Sequence, residues 1–249
     1  MKILLSGALG KMGRVITAEI EKHQSLSVCA FVDVGYESTD TAHFDKMPKE
    51  NVGADIIVDF SHHSAIFDIA EYAKKFSIPA VICTTGQTES EIECIKELSK
   101  EVPVFFSANM SMGIALTVEL AKKSAALFPD ADIEIIEKHH SAKLDSPSGT
   151  ALMLAQAIKS VRENLTLMLG RNGRRVREKN EVGIHAIRAG SIVGEHEVIL
   201  ATEHEIITVS HAAMSRSVFA DGAINASKWL IGKERGLYTM QSLVNDRKD

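Results

Sequence analysis

Cysteine, tryptophan and proline are scarce in this 249-residue sequence, which has three cysteines, one tryptophan and five prolines. Cys29, Cys83 and Cys94 are too few and too irregularly spaced for a disulfide framework or a Cys-x-x-Cys metal site. Long apolar runs are also lacking, since no stretch approaches the roughly 18 to 20 apolar residues that a membrane-spanning helix needs. These absences predict a protein of a reducing compartment, the cytoplasm, that does not insert into a membrane.

Excess positive charge is lacking as well. Acidic residues number 33 against 28 basic ones, which gives a formal net charge of -5 and a pI near 6.1. Such a chain has no general attraction for polyanions, so neither nucleic acid nor an anionic membrane is expected as a partner. Its hydrophobic content of 45% still allows a sizeable core, in one large domain or two smaller ones. An anionic ligand would therefore need a local site.

The first half of the sequence alternates short apolar runs with amphipathic stretches, a pattern typical of a parallel sheet covered on both faces. The apolar runs predict strands near residues 2–6, 26–33, 54–60, 79–84 and 102–107. In the segments between them, apolar residues recur at three- and four-residue spacing, which predicts helices over 11–23, 64–76 and 89–100. We therefore expect a Rossmann-like, doubly wound α/β domain.

From about residue 110 the sequence predicts a second, α+β domain with a mixed, largely antiparallel sheet. Its other predicted elements are a helix to about residue 128, a strand over 133–137, a helix from about residue 148 and a strand over 206–211. Residues 182–188 and 192–202 are interpreted as a hairpin. The charged stretch 162–181 is interpreted as a solvated loop. A last helix over 218–231 is expected to pack back on the first domain.

A glycine-rich turn joins the first predicted strand to the first predicted helix. Gly7, Gly10 and Gly13 follow Gly-x-x-Gly-x-x-Gly spacing. One glycine allows the tight turn, one lets the backbone approach a pyrophosphate, and one permits close helix packing. Asp33 ends the second strand, where an acidic side chain accepts hydrogen bonds from the adenosine ribose. No arginine follows it to hold a 2′-phosphate, so NADH is expected to be preferred over NADPH, although Lys11 could offset this.

Two adjacent histidines and a lysine follow the predicted strand over 133–137. A histidine such as His139 or His140 can donate a proton near neutral pH, which hydride addition to a polar unsaturated substrate commonly requires. Lys143 adds a mobile positive charge. For a lone histidine, a polar strand end without function would be the better interpretation. The lysine and the helix start nearby favour a functional site.

The helix start beside these histidines predicts a site for a carboxylate. Pro147 and Ser148 are typical of a helix N-terminus, so the N–H groups of Gly149 and Thr150 should be free to receive an anion, helped by the helix dipole. A metal site is not expected, because adjacent histidines on a strand point to opposite faces and no His-x-x-x-His helix motif is present. A small anionic substrate is the expected ligand.

Taken together, these motifs resemble the dihydrodipicolinate reductase family, which reduces 4-hydroxy-tetrahydrodipicolinate in the diaminopimelate route to lysine. The resemblance covers essentially the whole chain, and its most specific part is His-His-x-x-Lys followed by Ser-Gly-Thr within residues 137–151. It implies a dinucleotide-binding domain of residues 1–109 and 215–249, and a substrate-binding and oligomerisation domain of residues 110–214. It also implies a homotetramer, a dicarboxylate substrate, loss of water during reduction, and NADH or NADPH as cofactor.

The resemblance further implies roles for individual residues. His139 is the implied proton donor or acceptor, and Lys143 a second proton donor or a substrate-orienting group. The implied substrate-binding residues are His140, Ser148, Gly149 and Thr150. The implied cofactor-binding residues are Gly7, Ala8, Leu9, Gly10, Lys11, Met12, Asp33, Cys83, Thr84, Thr85, Ser107, Ala108, Asn109 and Met110. Two alternatives stay open: another Rossmann oxidoreductase of amino-acid metabolism, and a non-catalytic sensor that binds NADH.

Overall fold

A computed structural model describes residues 1–37 and 42–246 of the chain. Tertiary contacts divide the chain into two compact units. Unit 1 comprises Met1–Ser111 and Arg216–Asp249, and unit 2 comprises Met112–Ser215. Each unit has its own sheet. Within the described residues, no helix combines the length and the apolar character needed to cross a membrane.

The strands and helices of the described residues are numbered in chain order. The strands are β1 (Lys2–Ser6), β2 (Ser27–Val32), β3 (His43–Phe44), β4 (Ile56–Asp59), β5 (Ala80–Ile82), β6 (Pro103–Phe106), β7 (Asp132–His139), β8 (Thr166–Leu169), β9 (Glu181–Arg188), β10 (Gly194–Ala201), β11 (Ile206–Ala213) and β12 (Gly236–Tyr238). The α-helices are α1 (Lys11–Ile20), α2 (Ile66–Phe76), α3 (Glu89–Ser99), α4 (Met112–Leu127), α5 (Gly149–Lys159), α6 (Ser217–Leu230) and α7 (Met240–Asp246).

Unit 1 contains a seven-stranded sheet in the order β12-β6-β5-β4-β1-β2-β3, and its pairings are all parallel. This confirms the predicted Rossmann-like α/β fold. Its central strands are fully buried apolar runs, as in Ile3, Leu4 and Leu5, because a parallel sheet covered by helices has no solvent-facing side. The winding reverses at β1, since β2 pairs on one side of it and β4 on the other. As predicted, α6 packs back on this unit, against α1.

Unit 2 contains a five-stranded sheet in the order β11-β10-β7-β9-β8. The sheet is mixed, as predicted: β10 pairs antiparallel with β7 and β11, whereas β9 pairs parallel with β7 and β8. One face packs against α4 and α5 around a core that includes Ile133, Ile135 and Val198. The predicted hairpin of β9 and β10 is wrong, because β7 lies between these two strands.

The interpretation of residues 162–181 as a solvated loop is wrong in part. The stretch contains β8, and its arginines form ion pairs with acidic residues of β7 and β9. Arg171 lies 2.8 Å from Glu134 and 2.7 Å from Glu181, and Arg177 lies 2.6 Å from Asp132. Several of these charges are therefore paired with the sheet, whereas residues 170–180 form a largely exposed loop, as predicted.

Candidate active site

The glycine turn follows β1 and opens α1. Gly7 has a φ of +80°, and a Cβ there would lie 2.5 Å from the carbonyl oxygen of Phe60. A Cβ on Gly13 would lie 2.1 Å from the carbonyl oxygen of Gly7. The fold itself therefore requires glycine at both positions. Gly10 has an ordinary φ of -66°, and a Cβ there would lie 3.2 Å from the carbonyl oxygen of Gly7, a tight contact but a milder one than at Gly7 or Gly13.

The N-terminus of α1 keeps unsatisfied donors. No side chain of the described residues caps it and its first turn carries no acidic residue, whereas α3 and α5 both have side-chain caps. The N–H groups of Gly7 and Ala8 donate to the carbonyl oxygen of Val32, at 2.8 and 3.2 Å. Those of Lys11 and Met12 donate to no acceptor in the described part of the chain. An anion placed here would meet free N–H groups and the positive end of the helix dipole.

Asp33 borders the glycine turn from the end of β2. Its Oδ2 accepts a hydrogen bond from the N–H of Leu9 at 3.0 Å, and its Oδ1 accepts one from Gly35 at 3.1 Å. A cavity of about 400 Å³ lies beside it. The lining of this cavity includes Gly7, Gly10, Asp33, Val34, Lys46 and His62. It therefore lies at the carboxyl ends of β1, β2 and β4, where the winding reverses and where open α/β sheets bind ligands.

The loop after β5 is held by a buried carboxylate that the sequence analysis missed. Asp59, which is only 1% exposed, accepts a hydrogen bond from Thr84 Oγ1 at 2.6 Å and one from the N–H of Ser61 at 3.1 Å. Burial raises the pKa of Asp59 despite these hydrogen bonds. Cys83 is also buried, and burial raises the pKa of its thiol well above the usual value. Thr85, in contrast, is exposed.

The loop after β6 is stabilised by its own polar side chains. Ser107 Oγ donates to the carbonyl oxygen of Asn109 at 2.7 Å, and the side-chain oxygen of Asn109 accepts from the N–H of Ser111 at 2.9 Å. Ala108 is exposed and Met110 is buried. Because all strands of the sheet are parallel, this loop lies at the same sheet edge as the turns after β1 and β5. Unit 1 therefore brings the predicted cofactor residues to one edge.

In unit 2, β7 changes from apolar to ionic residues on the face that packs against the helices. Ile133 and Ile135 lie in the core, and the next two inward-facing residues are Glu137 and His139. Nδ1 of His139 lies 2.6 Å from Oε2 of Glu137. Burial lowers the pKa of His139, and the opposing effect of Glu137 does not fully cancel it.

Glu137 has no exposed surface, and its carboxylate is fully hydrogen-bonded. Arg188 donates to both oxygens, at 2.7 and 2.8 Å, and the N–H of Ser148 donates to Oε1 at 2.9 Å. Burial alone would raise the pKa of Glu137. The hydrogen bonds from Arg188, His139 and Ser148 outweigh this effect and hold the pKa below its usual value, so the carboxylate is ionised at neutral pH.

The helix start predicted near Ser148 is confirmed, since Ser148 is the N-cap of α5 and its side chain accepts from the N–H of Ala151. A free N–H group on Gly149 stays a prediction, although the backbone of Gly149 is near enough to Asp145 to help lower the pKa of that carboxyl, whose hydrogen bond and charge pairing with Lys143 lower it more. Lys143 Nζ also lies 2.8 Å from Asp145 Oδ1. The Asp145 carboxylate thus already holds a cation close to the N-terminus of α5.

The remaining predicted residues flank this carboxylate. His140 follows β7 directly, and its carbonyl oxygen accepts from the N–H of Lys143 at 3.1 Å. Thr150 lies in the first turn of α5. All six residues predicted for substrate binding and catalysis therefore belong to one segment of unit 2, at the carboxyl end of β7 and the N-terminus of α5.

His196 is a further buried residue that the sequence analysis did not single out. Its Nε2 lies 3.1 Å from Ser148 Oγ, and its ring meets the ring of His139 edge-on with centroids 5.2 Å apart. Burial, reinforced by the positive charge of a protonated His139, lowers the pKa of His196 to about 4. His196 is therefore neutral wherever the protein is folded at ordinary pH.

Acidification should destabilise the protein through His196. The pKa of His196 is near 6.5 in the unfolded chain and about 4 in the folded protein. Keeping His196 neutral therefore costs no unfolding free energy above pH 6.5, and the protein loses stability as the pH falls from 6.5 toward 4. Between about pH 7 and 4.5, the wild type should lose about 2–3 kcal/mol of unfolding free energy more than a His196→Gln variant. Urea unfolding at both pH values measures this. The exposed His204 offers the control His204→Gln, and equal losses in wild type and His196→Gln would contradict the prediction.

Comparison with known families gives a match over both units. Residues 1–110 match the family described as dihydrodipicolinate reductase, N-terminus, and residues 113–244 match the one described as dihydrodipicolinate reductase, C-terminus. The chain is 48% identical over 249 residues to the 4-hydroxy-tetrahydrodipicolinate reductase of Clostridium novyi, with 99% of each chain covered. It is 45% identical to that of Caldanaerobacter subterraneus, with 98% of each chain covered.

The fold is also similar to that of solved structures. Dipicolinate-bound dihydrodipicolinate reductase from Paenisporosarcina sp. TG-14 superposes with a TM-score of 0.79 at 22% identity, with 98% of each chain covered. A myo-inositol dehydrogenase from Corynebacterium glutamicum gives a TM-score of 0.57 at 15% identity, covering 95% of this chain and 90% of that one. At these identities the likeness concerns the fold alone.

Proposed function

This chain belongs to the dihydrodipicolinate reductase family, and we propose that the sites in units 1 and 2 are its cofactor and substrate sites. The chain is an NAD(P)H-dependent oxidoreductase that reduces 4-hydroxy-tetrahydrodipicolinate in lysine biosynthesis through diaminopimelate. Identity of 40–48% over the full length carries this conclusion. This identity excludes the alternative of a different Rossmann oxidoreductase, because such an enzyme would resemble these reductases only in its fold.

The residues around the glycine turn fit a dinucleotide. The uncapped N-terminus of α1 offers the N–H groups of Lys11 and Met12 to a pyrophosphate. The lack of a side chain on Gly10 leaves room for close approach, and the fold tolerates a Cβ better here than at Gly7 or Gly13. Asp33 borders the adjoining cavity of about 400 Å³, where it can accept hydrogen bonds from ribose hydroxyls. The loops after β5 and β6 complete the cofactor site, with Cys83 contributing through its backbone because its side chain is buried.

Preference for NADH over NADPH is expected, with kcat/KM about tenfold higher for NADH, because a 2′-phosphate would meet the Asp33 carboxylate beside an uncharged Val34. The cations that could oppose this are Lys11 and Lys46, which lines the same cavity. An assay that generates the substrate with the preceding aldolase and follows oxidation of each reduced nicotinamide measures the preference. Val34 is 93% exposed, so Val34→Arg should fold and should raise kcat/KM for NADPH.

Two results of this assay would be decisive. Higher kcat/KM with NADPH would contradict the proposed preference. Lack of turnover with both forms, in a protein that still binds them, would contradict the activity itself and favour the NADH-binding sensor.

We propose that the substrate site is the segment from His139 to Thr150. The carboxylates of the substrate would bind His140 and the N–H groups of Gly149 and Thr150, with Lys143 released from Asp145 to orient the substrate or supply a second proton. When bound, the reduced nicotinamide supplies a hydride. His139 then donates a proton to complete the reduction, with loss of water from the substrate. Nδ1 of His139 is hydrogen-bonded to Glu137, so Nε2 is the atom left to donate.

Assembly through unit 2 is proposed as well. The face of its sheet opposite α4 and α5 carries apolar side chains among charged ones, and several of these are exposed. Ile187 is 43% exposed and Ile206 69% exposed. Apolar side chains left uncovered on one face of a sheet favour association with further copies of the same face. Together with the family relationship, this supports a homotetramer. A cytoplasmic location is proposed because Cys29, Cys83 and Cys94 are all free thiols.

A further inference from the structure

A fully buried glutamate is an unusual residue to find on an inward-facing strand position. The two preceding inward positions of β7 are isoleucines, and an apolar residue at position 137 would continue this pattern. Replacing a buried ion pair by apolar residues of similar volume is often neutral or stabilising. The pair of Glu137 and Arg188 is therefore poorly explained by stability alone.

The contacts of Glu137 connect two parts of the substrate site. Its Oε2 lies 2.6 Å from Nδ1 of His139, and its Oε1 accepts the N–H of Ser148 at 2.9 Å. Because an ionised carboxylate only accepts hydrogen bonds, His139 must carry a proton on Nδ1 in both of its charge states. Ser148 is the N-cap of the helix that presents Gly149 and Thr150. One carboxylate thus fixes the tautomer of the histidine and the position of the helix N-terminus.

The Nε2 edge of the His139 ring faces Gly194. A Cβ added to Gly194 would lie only 3.1 Å from Nε2 of His139, so the glycine leaves room beside this nitrogen. With Nδ1 occupied, Nε2 is the nitrogen able to exchange a proton with a ligand. This arrangement follows the logic of other histidine and carboxylate pairs, in which the carboxylate holds the tautomer and stabilises the imidazolium without taking the proton.

We propose that Glu137 is a positioning residue that acts through His139 and also aligns the N-terminus of α5 with it. This inference rests on the proposed function, in which His139 donates the proton. Arg188 keeps the carboxylate ionised and turned toward both partners. The other charged and titratable groups near this pair are Lys143, Asp145 and His196.

Substitution of Glu137 by glutamine tests the proposal. A neutral amide cannot accept from both Arg188 and His139 as the carboxylate does, so we expect kcat to fall by about 10²-fold while the Kd for NADH stays unchanged. The alkaline limb of the kcat profile should move down by about one pH unit, because the imidazolium loses its carboxylate partner while Lys143, Asp145 and His196 are unaltered. A purely structural role would lower activity without moving this limb.

A second substitution shows whether Glu137 acts through His139. In a His139→Gln background, the further change Glu137→Gln should lower kcat by less than about threefold, because His139 is already absent and the glutamine amide oxygen can still accept the N–H of Ser148. A full 10²-fold loss in that background would overturn the proposal, as would an unchanged kcat or an unmoved alkaline limb in the single variant.

Glu181→Gln is the matched control. Glu181 is also a buried carboxylate paired with arginine, but it lies at the other end of β9 from Arg188. We expect this variant to keep the kcat, pH profile and oligomeric state of the wild type.

A measurement on the wild type keeps the proposal testable if Glu137→Gln does not fold. Nitrogen-15 NMR of the histidine rings, assigned by the signals lost in His139→Gln, should show neutral His139 protonated on Nδ1. A neutral ring protonated on Nε2 would overturn the role of Glu137. Failure of the proposed function would look different, since the wild type itself would then show no turnover with either reduced nicotinamide.

Discussion

Replacing His139 by glutamine is expected to lower kcat by about 10²–10⁴-fold, the usual contribution of a general acid. Glutamine is similar in size and polar, so it can still hydrogen-bond near Glu137, but it cannot act as the acid that an imidazolium provides. The Kd for NADH should remain unchanged, because His139 belongs to unit 2 and the dinucleotide residues belong to unit 1. Single-turnover kinetics with saturating NADH, and titration of NADH alone, measure the two quantities separately.

The control for this prediction is another histidine of unit 2. His204 lies between β10 and β11 with its side chain 86% exposed, so His204→Gln should behave as wild type. A normal kcat in His139→Gln would remove this residue from the reaction and leave Lys143 as the proton donor. A normal kcat together with a raised KM would instead make His139 a binding residue.

The architecture of unit 1 could be predicted because its signals are local. A strand such as Ile3–Leu5 is an uninterrupted apolar run that ends close to a glycine, and each following helix has its apolar residues at helical spacing. The elements that were not predicted are short and lack a local sequence pattern. Strands β3 and β12 have only two and three residues, and both are partly exposed, so no apolar run marks them. Helix α7 was missed for a similar reason, since it has seven residues.

The order of the strands across the sheet of unit 2 could not be predicted in the same way. The turn at Ala189 and Gly190, between β9 and β10, locally favours a hairpin. However, β7, which precedes both strands in sequence, pairs with each of them. The sequence of the turn does not encode the position of β7 between β9 and β10. That position depends on which strand best buries the apolar side chains of its neighbours. The ion pairs of Arg171 and Arg177 were missed for the same reason, since their partners on β7 lie far away in sequence.

The predicted residues of the substrate site lie within residues 139–150, and such a contiguous segment can be recognised as a motif. The residues that organise it come from other strands. The register pairs His139 with Arg188 on β9, and Glu137 with His196 on β10, across separations of 49 and 59 residues. The one available signal was Glu137 itself, a charge in the inward phase of an alternating strand. Asp59 has no comparable sequence signal. Every residue of β4 is buried, so the strand has no alternating pattern in which an inward-facing charge would stand out.

Replacing Gly10 by valine is expected to raise the Kd for NADH by about 10²-fold or more while costing about 1–2 kcal/mol of stability. Its backbone φ is ordinary and a Cβ would lie 3.2 Å from the carbonyl oxygen of Gly7, a contact that a small shift of the turn relieves, so the side chain intrudes mainly on the space proposed for the pyrophosphate. Gly13→Ala should act differently. Its Cβ would lie 2.1 Å from a backbone oxygen of the turn, so the fold should lose about 3 kcal/mol. Calorimetric titration and urea unfolding of both variants separate these effects.

A control glycine and a second ligand sharpen this comparison. Gly232 also has a positive φ, but a Cβ there would meet no atom within 4 Å, so Gly232→Asn should change neither NADH binding nor kcat. We expect dipicolinate, a dicarboxylate like the proposed substrate, to bind Gly10→Val and wild type with equal affinity, because the residues proposed to bind the substrate carboxylates lie in unit 2. Normal NADH binding by Gly10→Val would place the pyrophosphate elsewhere. If that variant lost affinity for dipicolinate as strongly as for NADH, the glycine would be supporting the whole protein rather than one ligand, and the assignment of the two sites to separate units would fail.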